Sequence, residues 1–205
     1  VRSYLEDLVE RLADRTKLRS SSESVSWAAH REAEQLADIT MVGELAAAVR
    51  SLPTAKRSGC YFTIGKIGRN LRDEQCAAVL LDLLPAESNK YNLDCLLQRV
   101  GEIPKGPTLD LSAVFPLLED KRWLVRHAAI RALDHSASPD VEARLVEHLS
   151  ATTDAYDQTY CHAVLNHVGT RRALPAIEAN LKSRKRDAKV SAELAVRAIR
   201  DRYPD

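Results

Sequence analysis

Turn-forming residues are scarce in this sequence. It has 7 glycines and 8 prolines among 205 residues, too few for a turn-rich all-β fold. Aromatic residues make up 5% and there is one methionine. The formal net charge is +1, so no global field draws the chain to nucleic acid or to an anionic membrane. No apolar run reaches the roughly 18 residues of a membrane span, and no stretch reads as a secretory leader. The 4 cysteines, Cys60, Cys76, Cys95 and Cys161, include no Cys-x-x-Cys pair. Each sits inside an apolar helical pattern, as small buried hydrophobes do. Free thiols in a reducing, cytoplasmic setting are expected.

What is present is a recurrence. Ile130-x-x-Leu133 has counterparts in Ile64-x-x-Ile67, Leu97-x-x-Val100, Leu165-x-x-Val168 and Val196-x-x-Ile199, with a weaker copy at Leu36-x-x-Ile39. The last apolar residue falls at 39, 67, 100, 133, 168 and 199, at intervals of 28, 33, 33, 35 and 31. Each copy follows another stripe at helical spacing, for example Leu45/Val49/Leu52, Ala77/Leu80/Leu84, Leu111/Val114/Leu118 and Leu174/Ile177/Leu181. Turn-like breaks separate the two, as at Pro53-Thr54 and 85–88. The unit is therefore helix A, turn, helix B. One such pair cannot bury its own stripe, and stacked pairs can.

Six pairs follow: an N-terminal cap 1–40 with Ser20, Ser21 and Ser22 in its turn, repeats 41–72, 73–106, 107–138 and 139–170, and a C-terminal cap 171–205. Together they form one all-α domain over 1–205 with twelve helices. Gly68, Gly101 and Gly169 stand where a left-handed helix cap belongs. Counting back from each last apolar residue, Leu36, Ile64, Leu97, Ile130, Leu165 and Val196 form a core column. Three residues earlier stand Ala33, Tyr61, Asp94, His127, His162 and Glu193, a mostly polar column expected on the open face.

Residues 120–133, Asp-Lys-Arg-Trp-Leu-Val-Arg-His-Ala-Ala-Ile-Arg-Ala-Leu, resemble a HEAT repeat. The resemblance implies a right-handed α-α superhelix whose B helices line a concave side. It also implies a ladder of Asp and Arg between repeats. Only the fourth unit carries both residues, Asp120 and Arg126, so the ladder is expected to be broken.

Function is less directly written. No Gly-rich phosphate loop, nucleophile elbow or His-Glu-x-x-His is present. The HEAT-like deoxyhypusine hydroxylases carry His-Glu pairs for iron, and none of the six histidines here precedes a glutamate. No cofactor and no metal are assigned. His127 and His162 share a column, with Asp94 one repeat before, and are expected to serve as binding-face residues.

The expected function is a non-catalytic scaffold that binds a protein partner through exposed B-helix positions. Those positions are Tyr61, Tyr91, Asp94, Trp123, His127, Arg131, His162 and Asn166. A second reading rests on Arg57, Lys90, Arg122 and Lys189, which recur at the first turns of B helices beside aromatic residues. Basic groups neutralise phosphates and aromatic rings stack on bases, as on the concave surface of the HEAT-like DNA glycosylases. A third reading is kinship with HEAT-like phycobilin lyases.

Overall fold

A computed structural model of the chain describes residues 3–16 and 23–204. The serine turn expected at 20–22 lies outside the described residues. Among these residues the protein is all-α, with eleven α-helices and no strand. The chain divides into two compact units, Val1–Ile103 and Pro104–Asp205.

The first unit holds α1 (Tyr4–Leu12), α2 (Val25–Ala33), α3 (Thr40–Ser51), α4 (Thr54–Leu71), α5 (Glu74–Leu83) and α6 (Lys90–Gly101). Short polar side chains start several of them. Ser3 and Glu6 form a reciprocal capping box on α1. Ser24 caps α2, Asp73 caps α5, and Asn89 accepts from the amides of Tyr91 and Asn92 on α6. Each such bond satisfies an amide that the helix itself leaves unpaired.

The second unit holds α7 (Trp123–Ala132), α8 (Pro139–Ala151), α9 (Ala155–Val168), α10 (Leu174–Glu178) and α11 (Arg186–Arg202). Helix α9 packs on α7, α8 and α11.

The core column survives in five of six repeats. Ile64, Leu97, Ile130 and Leu165 are fully buried, and Val196 nearly so. Full burial of one such side chain contributes about 1.5–3 kcal/mol. The first copy departs: Leu36 lies beyond the end of α2 and Ile39 is exposed.

Two further expectations are corrected. Leu111, Val114 and Leu118 are buried as a helix A stripe should be, yet no α-helix forms there. A 3-10 turn, Phe115–Glu119, takes its place, with Pro116 in its first turn. Proline disfavours the α conformation of the residue before it. Helix A of the last repeat is likewise short, α10 followed by a 3-10 turn, Ala179–Lys182.

The glycines are also not left-handed caps. Gly68 and Gly101 lie inside helices, Gly169 has φ −71°, and Arg72 closes α4 with φ 55°. Glycine serves close approach instead. A Cβ on Gly65 would meet the Arg99 Cβ of α6 at 2.4 Å, and one on Gly68 would meet the Cys76 Cβ of α5 at 2.5 Å.

Candidate functional site

In the second unit, the first turns of α7 and α9 carry aromatic side chains outward. Trp123 is 61% exposed and Tyr156 65% exposed. Each has a second ring one helical turn on, at His127 and Tyr160, which places the pairs on matching faces. The His127 ring is the common support. Its centroid lies 5.4 Å from Trp123, 4.7 Å from Tyr160 and 6.2 Å from Tyr156.

Beneath these rings lies a buried carboxylate, Asp157. Asp154 caps α9 through the amides of Tyr156 and Asp157, which sets Asp157 in the first turn, facing α7 and α8. Arg126 of α7 donates Nε to its Oδ2 at 2.9 Å, and Thr152 donates its hydroxyl at 3.3 Å. His127 Nε2 stands 3.0 Å from Oδ1, and His148 Nε2 of α8 3.7 Å from Oδ2. Arg126 also reaches Asp154 at 3.2 Å and the Asp120 carbonyl at 3.1 Å. His148 Nδ1 lies 2.8 Å from Glu119.

Burial alone would raise the Asp157 pKa, but His148 and Arg126 hold it below the usual carboxylate range. The two histidines are pushed apart. Asp157 raises His148 against its burial, whereas burial lowers His127 in spite of Asp157. His127 is thus shifted towards its neutral form and His148 towards its protonated form. Arg126 therefore does link consecutive repeats, through Asp154 and Asp157, while the Asp120 carboxylate is taken by Arg122 at 2.7 Å. One such link does not make a ladder: the corresponding positions of the other repeats are Glu32, Cys60, Leu93, Cys161 and Ala192, and the Arg126 acceptors lie on the next helix pair.

The expected open column is largely closed. Tyr61 is 1% exposed and donates its hydroxyl to Glu87 at 3.0 Å. Glu87 is itself buried and accepts from Asn92 and from the amides of Ser88 and Asn89. Burial would raise its pKa, and those bonds lower it. His162 is fully buried with Nδ1 3.0 Å from the Ser191 hydroxyl of α11, and burial lowers it to about 4. His127 is buried as described. The three were expected to be exposed, and the neighbouring helix covers each of them instead.

The remaining positions are scattered. Tyr91 is exposed with the Lys90 ammonium 5.0 Å from its ring centre. Asp94 is half-buried and accepts from Gln98 at 2.8 Å. Arg131 is exposed, and Asn166 is half-buried with its carbonyl bound by Arg202. On the basic edge, Arg57 donates to the Leu52 carbonyl and lies 3.7 Å from Glu87. Lys90 and Lys189 are exposed, Lys189 being 3.9 Å from Glu193. Half of the expected edge, Arg57 and Arg122, is thus engaged with internal carboxylates. Asp157 and His148 were missed, because an Asp three residues after an Asp cap reads as an ordinary helix start. Tyr156 and Tyr160, one turn apart beside that cap, were the available signal.

No known family model matches the chain, and no curated protein does. Solved structures do. A designed armadillo repeat protein, YIII(Dq)4CqI, aligns at TM-score 0.57 and 15% identity over 95% of this chain and 99% of its own. Another, YIII(Dq.V1)4CPAF in complex with peptide (KR)4, aligns at 0.58 and 15% over 96% and 100%. An engineered protein, target OR329, aligns at 0.55 and 17% over 98% of each chain. The fold is that of a helical-repeat α-α superhelix. No helix among the described residues is long and apolar enough to cross a membrane.

Proposed function

We propose that the chain is a HEAT-like, non-catalytic scaffold that binds an extended segment of a protein partner. The observation that carries this is the pair of exposed rings, Trp123 and Tyr156, held on His127 above the Asp157 cluster. Large aromatic side chains that protrude from a fixed support are the usual anchors of protein interfaces. Each ring lies beside His127, and a side chain restrained before binding loses less freedom on binding. Arg131 lies on α7 as well, and Tyr91 with Lys90 offers a separate contact in the first unit. The peptide bound by one of the designed armadillo proteins supports the class of partner. In this reading the repeats form one array over 1–205, working in the cytoplasm with its four cysteines unpaired.

The test is selection of peptides from a displayed random library on the wild-type chain. Selected peptides are then titrated against Trp123→Ala and Tyr156→Ala. Loss of at least about 2 kcal/mol of binding in either variant is expected of an anchor. Peptides that bind both variants unchanged place the interface elsewhere. Binding of duplex or single-stranded oligonucleotide with a steep salt dependence, lost on Lys90→Glu, would support the nucleic-acid reading instead.

A further inference from the structure

A second cluster in the second unit lies where two helices end. Helix α7 stops at Ala132 and is followed by Asp134 and His135. Helix α9 carries His167 in its last turn. His135 has φ 55°, a left-handed backbone that histidine tolerates better than most residues. That conformation is fixed on both sides. The His135 amide donates to Asp134 Oδ1 at 2.8 Å, and its carbonyl accepts from the Lys105 amide at 2.9 Å. The two imidazoles then converge on one carboxylate. His167 Nδ1 lies 2.9 and 3.1 Å from the Asp134 oxygens, and His135 Nδ1 lies 3.5 Å from Oδ2. The ring centres are 5.5 Å apart. One donor atom from each of the three residues lies within 4.8 Å of the other two.

We propose that Asp134, His135 and His167 form a binding site for a divalent transition-metal ion of the zinc type.

Three physical arguments support it. The first is the donor set. Two imidazoles and a carboxylate suit zinc and its neighbours, whereas magnesium and calcium demand oxygen. The second is spacing. Zinc holds nitrogen and oxygen at about 2.0–2.2 Å, so donor atoms around a tetrahedral ion stand about 3.3 Å apart. The observed nitrogen–oxygen separations, 2.9 to 3.5 Å, bracket that edge. The third is electrostatics. Asp134 and His135 directly follow the C-terminal end of α7, and a helix C-terminus favours a cation. Both imidazoles are half-exposed, so an ion can enter from solvent and keep water in its remaining position.

The other grouping of three donors, His127, Asp154 and Asp157, does not fit an ion in the same way. The Arg126 guanidinium already occupies both of its carboxylates.

The experiment is calorimetric titration of the chelator-stripped chain with zinc chloride, with magnesium chloride as control. Histidine ring resonances are followed by NMR in the same samples. Expected are one zinc per chain, no heat from magnesium, and changes confined to the rings of His135 and His167. Binding should weaken about tenfold or more in His167→Ala and in Asp134→Asn. If those variants unfold, the wild-type ring assignments decide. No zinc binding by the wild type would overturn the proposal. So would unchanged affinity in both variants, or zinc-induced changes centred on His127.

Discussion

The Arg126 guanidinium of α7 holds the Asp157 carboxylate of α9 at 2.9 Å, with Asp157 almost wholly buried. That pair joins two successive helix pairs and sits directly under the exposed aromatic face.

Removing one member should therefore be costly. Arg126→Ala leaves a buried carboxylate with only His127, His148 and Thr152 beside it. A loss of about 3 kcal/mol or more is expected, since breaking a buried pair strands its partner. Urea denaturation measures it. Replacing Arg126 and Asp157 together by leucine should recover much of the loss. A single variant as stable as the wild type would show that the pair is not a structural link.

Two glycines should respond in opposite directions. Gly65→Ala adds a Cβ 2.4 Å from the Arg99 Cβ across the contact between α4 and α6. Overpacking of this kind typically costs about 1–3 kcal/mol, more than the gain of up to about 1 in helix propensity. Gly43→Ala, in α3, meets nothing within 4 Å, so only the propensity gain applies, about 0.5–1 kcal/mol. Thermal melts of both variants check the pair. Equal shifts would mean that α4 and α6 are not so close.

Acid should act through His162. Its folded pKa of about 4 lies below the ordinary value of 6.5, because burial disfavours the charged ring. Below pH 6.5 the unfolded chain takes up a proton that the folded chain refuses until about pH 4. Stability from this group is thus complete above pH 6.5 and falls across that window by about 3 kcal/mol. His162→Gln should flatten this part of the stability–pH curve, read by denaturant titration at several pH values. An unchanged slope would show that His162 is not buried as a neutral ring. His148, raised by Asp157, acts in the opposite sense: its contribution is complete below pH 6.5 and is lost as pH rises.

The spacing of Ile64, Leu97, Ile130 and Leu165 was enough to locate the buried stripe of these four B helices. A 3.6-residue period fixes which side of a helix is apolar, and an apolar side is buried against whatever stacks on it. The same period says nothing of how wide the covered zone is. Tyr61, His127 and His162 flank the stripe, and whether a polar flank faces water or a neighbour depends on how closely the next helix approaches. That distance is set by pairs such as Gly65 and Arg99, which lie far apart in sequence. The Asp157 cluster draws on α7, α8 and α9, and the Asp134 cluster on the ends of α7 and α9. Sequence by itself determined the repeat and its core, because those follow from local periodicity. Only the tertiary structure decided which polar residues meet, because their partners come from other helices and burial shifts their charge once they are there.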